Sequence, residues 1–71
     1  MVRRIEIAMP GINCEASTIE RILCEVPGVV EVYVNPASEI AYCDCDDGPA
    51  VREGLVAAIK RLGYRAVITN P

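Results

Sequence analysis

An α+β architecture in the order β-α-β-β-α-β is predicted from three features of the 71-residue sequence. Apolar residues alternate with polar ones over about 2–9, 30–34 and 39–45, the period of strands with one buried face. Two intervening stretches place apolar residues every three or four positions, the period of helices. Pro-Gly pairs at Pro10-Gly11 and Pro27-Gly28 punctuate the joins.

Strand one runs from Val2 to Met9, with Ile5, Ile7 and Met9 alternating against Arg4, Glu6 and Ala8. Pro10-Gly11 breaks it. Asn13 stands where an N-cap would satisfy the first amides of a helix running to about Val26, whose inward stripe is Ile19, Ile22, Leu23 and Val26. Ser17-Thr18-Ile19-Glu20 matches a capping box one turn later, which would leave Cys14 in the loop. The earlier start is expected. After Pro27-Gly28, Val30, Val32 and Val34 alternate with Glu31, Tyr33 and Asn35 as strand two. Asn35-Pro36-Ala37-Ser38 has turn composition. Strand three, about Glu39 to Cys45, sets Ala41 and Cys43 on one face and Ile40 and Tyr42 on the other. Pro49 suits the first helical position, behind the acids Asp46 and Asp47, and Gly63 suits the C′ position of a helix ending near Leu62. That helix carries the stripe Val51, Leu55, Ile59 and Leu62. Tyr64 to Thr69 is the last strand.

Two β-α-β halves in this order make a ferredoxin-like split β-α-β fold, a four-stranded antiparallel sheet of order 4-1-3-2 covered on one face by both helices. Residues 1–71 are expected to form one domain. The loop after strand one and the loop before strand four then share one end, making Cys14 and Tyr64 neighbours. The opposite end gathers the exit of helix one and the end of strand three, where Cys24 approaches Cys43 and Cys45.

Composition narrows the chemistry. Net charge is −3 and the acids spread from Glu6 to Glu53, which disfavours nucleic acid, a ligand that needs clustered Lys and Arg. No run of about 18 apolar residues offers a membrane span, and the polar alternation after Met1 is unlike a secretory signal. The chain is therefore placed in the cytoplasm, where its four cysteines read as free thiols or metal ligands and not as a disulfide framework. Histidine is absent, so a metal site would have to use thiolate, carboxylate, hydroxyl or backbone oxygen.

From Ile19-Glu20-Arg21 through Val26-Pro27-Gly28-Val29 to Ala58-Ile59-Lys60-Arg61-Leu62-Gly63-Tyr64-Arg65-Ala66, the chain resembles the heavy-metal-associated domains of copper chaperones and metal-pumping P-type ATPases. The resemblance implies a module that binds Cu(I) or Zn(II) and passes it to a transporter or chaperone domain, without catalysis, as a monomer. It also implies a Gly-Met-x-Cys-x-x-Cys loop between strand one and helix one. The sequence there reads Met9-Pro10-Gly11-Ile12-Asn13-Cys14-Glu15-Ala16-Ser17, with one cysteine. Matching Gly11 and Cys14 to the motif needs a two-residue deletion and puts Ser17 at the second cysteine; matching the helix without a gap puts Ile12 and Glu15 at the two cysteines.

Four residues are candidate ligands. Cys14, read in the first turn of helix one, gains thiolate character from the helix dipole. Glu15 would add a carboxylate oxygen, and a mixed thiolate and carboxylate set suits Zn(II) better than Cu(I). Tyr64 packs beside the loop as a shield. Cys43 and Cys45, alternate residues of one strand, present both sulfurs on one face with Cα atoms about 6 to 7 Å apart and could pinch an ion. Cys43 also fits a core position as a small apolar residue, and Cys45 is expected to be more exposed.

Other readings make different demands. A metal-independent regulatory domain of the same topology, similar to ACT domains, would rest on Pro10-Gly11 after strand one and would dimerise. A monothiol redox site would rest on Cys14-Glu15-Ala16-Ser17, but the chain is too short for a thioredoxin fold. An RNA-recognition module needs exposed aromatics on central strands and a basic face, and neither is read from the sequence.

Overall fold

The computed structural model describes residues 2–13, 15–46 and 48–69. These form β1 (Val2–Ala8), α1 (Ala16–Cys24), β2 (Val29–Asn35), β3 (Ile40–Asp46), α2 (Pro49–Arg61) and β4 (Val67–Ile68). The sheet order is β2-β3-β1-β4 with every neighbouring pair antiparallel, the predicted 4-1-3-2 arrangement counted from the other edge. Ile5 and Ile7 of the first strand with Met9 just after it, Ala41, Cys43 and Cys45 of the third, and Val32 and Val34 of the second are buried against Ile19 and Leu23 of α1 and Leu55 and Ile59 of α2. Alternation in the strands and the i, i+4 spacing in each helix thus meet in one core.

Helix α1 is shorter than predicted at both ends. Its N-cap is Glu15, in extended geometry at φ −66° and ψ 139°, with no side-chain capping bond. Asn13 does not cap because its side chain is bonded to Tyr64. The capping box does not form either: Glu20 turns away from Ser17, and its Oε2 accepts the Val34 backbone N–H at 2.8 Å. That partly buried, charge-assisted bond ties the middle of α1 to β2 across 14 residues. Glu20→Ala is therefore expected to cost about 1–2 kcal/mol, seen as a lower denaturant midpoint at unchanged m-value. Glu20→Gln, which keeps an acceptor, is expected to lose less.

In β2, Val29 pairs with Cys45 but Glu31 pairs with Asp44, leaving Val30 as the extra residue of a bulge. Val30 is accordingly 66% exposed, which corrects its predicted inward position. The last strand is also shorter than predicted. Tyr64 still donates its N–H to the Ile59 carbonyl at the end of α2, so residues 64–66 stay out of the ladder. Among the described residues, Val67 and Ile68 alone pair with β1 in the ladder, followed by the Thr69 N–H on the Glu6 carbonyl at 2.8 Å. Gly63 adopts the predicted C′ conformation at φ +90°, and Pro49 begins α2 behind Gly48 as N-cap.

The sheet face without helices corrects one further expectation. Tyr33 of β2 is 58% exposed and stacks on Tyr42 of the inner strand β3, with centroids 6.2 Å apart and planes at 22°. Exposed aromatics are thus present. A basic face is not: Arg4 is held by Asp44 at 3.0 Å, and its pKa is raised first by that hydrogen bond and then by the charges of Asp44, Glu31 and Glu6.

Candidate metal centre

Antiparallel pairing sends β1, the β2–β3 turn and the exit of α2 to the same end of the molecule. Three connections, 9–15, 36–39 and 62–66, meet there, and their hydrogen bonds define the site. The Met9 N–H donates to the Glu39 carbonyl at 2.8 Å. Gly11, at φ +82°, donates its N–H to Glu39 Oε2 at 3.0 Å. Ile12 packs half-buried against the core. The Asn13 N–H then donates to Tyr64 Oη at 3.3 Å, and the Tyr64 hydroxyl donates to Asn13 Oδ1. After this pinned segment the chain enters α1, where the Glu15 carbonyl accepts the N–H groups of Thr18 and Ile19 at 3.1 and 3.3 Å.

Cys14 lies outside the described residues. The helix that follows begins at Ala16 with Glu15 as its N-cap, later than the start capped by Asn13 that the sequence predicts. Glu15 is exposed, with its carboxylate left free of capping duty. Tyr64 stands beside the loop as predicted, through its bonds to Asn13. Asn13 supplies a donor and an acceptor to that phenol, a role that its resemblance to an N-cap concealed.

Cys43 and Cys45 are placed differently. Both point into the core with 0% exposure, which corrects the expectation that Cys45 is the more open of the two. The reason is register: Cys45 pairs with Val29 and Arg3 and faces the helices like Cys43, two residues earlier. Its Sγ makes a long donation to the Cys43 carbonyl at 3.9 Å. Cys24 ends α1 and is exposed, close enough for its charge to act on Cys43. Among the described residues, no group of three or more Cys, Asp or Glu side chains gathers around a common point. As ligands in this conformation, Cys43 and Cys45 have no solvent-facing sulfur to offer.

Burial pushes the Cys43 thiol up to about 12 from an ordinary value of 9.0, with smaller contributions from Cys45, Cys24 and Asp44. A thiolate is the metal-binding form, so this shift disfavours Cys43 as a ligand near neutral pH. It also predicts an alkaline signature. Below pH 9 the folded and unfolded chains both keep this proton, and the folded state is unpenalised. Between pH 9 and 12 the unfolded thiol ionises while the folded one does not, so stability falls by up to about 1.4 kcal/mol per pH unit. Denaturant midpoints measured across that range are expected to fall less steeply in Cys43→Ala than in the parent; equal slopes would contradict the assignment.

No protein-family model matches the chain. Copper-transporting ATPase 2 of Rhizobium meliloti (strain 1021) is 35% identical over 68 residues, which are 93% of this chain and 8% of that protein. The likeness is thus to one segment of a much longer protein. A structure solved in work on crosstalk between Cu(I) and Zn(II) homeostasis is 35% identical with a TM-score of 0.80, covering 94% of this chain and 99% of that one. The N-terminal domain of a potential copper-translocating P-type ATPase from Bacillus subtilis, in its Cu(I)-loaded state, is 28% identical with a TM-score of 0.82, covering 96% of this chain and 88% of that one.

Proposed function

Since the chain belongs to the heavy-metal-associated domain family, we propose that it binds one soft or borderline ion, Cu(I) or Zn(II), at the β1–α1 loop and passes it on by ligand exchange. The recipient is a metal transporter or chaperone domain, and the chain is either a free metallochaperone or the N-terminal domain of a metal-transporting P-type ATPase. The ion is cargo, so no catalysis is needed. The proposed setting of the chain is the cytoplasm, where it acts as a monomer; among the described residues no helix is long and apolar enough to cross a membrane.

The observation that carries this reading is the pairing of Asn13 with Tyr64. It fixes the residue immediately before Cys14, so a thiolate there would be presented from a tethered loop at the positive end of α1. Glu15, the exposed residue at the N-cap, is the proposed second ligand. One sulfur and one carboxylate leave a four-coordinate ion incompletely enclosed, which suits Zn(II) at rest and leaves positions open to an incoming partner's ligands. Cys43 and Cys45 are assigned to the core on their burial.

Titration of the reduced protein with Zn(II) and, anaerobically, with Cu(I), followed by backbone amide shifts, tests the proposal. Shifts confined to residues 13–17 and Tyr64 are expected. Shifts centred on Cys43 to Asp46 would move the site to the core pair. The absence of any response to either ion would leave a metal-independent docking domain.

A further inference from the structure

We infer that Glu39, in the β2–β3 turn, is a positioning residue for the metal-binding loop, an inference that rests on the function proposed above. Two of its groups hold that loop: the carbonyl accepts the Met9 N–H at 2.8 Å, and the carboxylate oxygen Oε2 accepts the Gly11 N–H at 3.0 Å. The residues so held are Met9, buried just after β1, and Gly11, the left-handed glycine of the connection between β1 and α1. Tyr64 holds Asn13 from the other side. The segment leading into Cys14 is therefore clamped between two connections that come from distant parts of the sequence.

Glu39 adopts φ +59°, the only left-handed non-glycine residue among those described. A glutamate has no local reason to be there: glycine or asparagine fits this backbone better. The turn before it is already closed without its side chain, by Asn35 Oδ1 accepting the N–H groups of Ala37 and Ser38 and by the Glu39 N–H on the Asn35 carbonyl. What glutamate adds is an acceptor long enough to reach Gly11. Groups that orient a ligand-bearing segment without touching the ion commonly change metal affinity by about 10- to 100-fold when removed.

Backbone relief and loss of the clamp act in opposite directions in Glu39→Gly, which makes the role separable from ordinary stability. The expected result is a thermal midpoint equal to or above the parent's, faster hydrogen exchange at the Gly11 amide, and Zn(II) affinity weaker by about tenfold. Glu39→Gln, whose amide oxygen can still accept from Gly11, is expected to restore most of the affinity. Affinity in Glu39→Gly within twofold of the parent, with the parent binding at the loop, would overturn the inference. If the parent binds no ion at the loop, the proposed function fails; the Gly11 exchange rate then decides the clamp, and an unchanged rate in Glu39→Gly would refute it.

Discussion

Titrated with Zn(II), a Cys14→Ala variant is expected to lose affinity by more than about 100-fold, beyond what removal of an outer partner of a metal ligand costs. The physical ground is the ligand inventory. The chain has no histidine, the core thiols are covered, and Cys24 stands exposed at the far end of α1. Removing Cys14 leaves Glu15 and backbone oxygen, a set with too little sulfur for Cu(I) and too few donors for tight Zn(II) binding. Competition against a chromophoric chelator measures the loss. The matching Cys24→Ala variant is expected to bind as the parent does, and equal losses in the two would sink the assignment of the loop.

Gly28→Ala is expected to produce the largest loss of stability among single-methyl additions. Gly28 follows α1 at φ +93°, and a Cβ there would stand 2.8 Å from Val51 Cγ2. Its carbonyl also accepts the Asp46 N–H at 3.0 Å, so it cannot drift from the end of β3 without breaking that bond. The left-handed backbone costs an alanine about 1–2 kcal/mol, and crowding against Val51 adds about 1–3 kcal/mol. For a domain of this size the thermal midpoint is expected to fall by at least about 10 °C. Gly63 supplies the control, since it has a similar φ of +90° but nothing within 4 Å of its added Cβ. Gly63→Ala should therefore show the backbone part alone, and equal losses at the two positions would rule out the contact with Val51.

Much of the fold was legible because β1 and β3 alternate cleanly and pair residue for residue, from Val2 opposite Asp46 to Ala8 opposite Ile40. The stripes of the two helices were legible for the same reason, with Ile19, Leu23, Leu55 and Ile59 all fully buried. Where the reading failed, a local rule met a distant competitor. Asn13 and Glu20 both have the chemistry of helix caps, yet Asn13 found Tyr64, 51 positions away, and Glu20 found the Val34 amide. Val30 fits the inward pattern by spacing, and only the pairing of β2 with β3 reveals the extra residue. The site divides in the same way. The loop holding Cys14 and Glu15 could be located from the break at Pro10-Gly11, whereas the reach of Glu39 to Gly11 spans 28 residues and leaves no periodic trace.

The bond from Glu20 to Val34 also bears on how copies of this chain meet. β2 is an edge strand with β3 as its one sheet neighbour, so the amide that Glu20 occupies faces outward, where a strand of another molecule would dock. An incoming carbonyl would have to displace a carboxylate and approach its negative charge. The bulge at Val30 spoils the register of the same edge four residues earlier. Together they make the long open margin of the sheet a poor template for fibril growth, in a domain whose other edge strand is only two residues long.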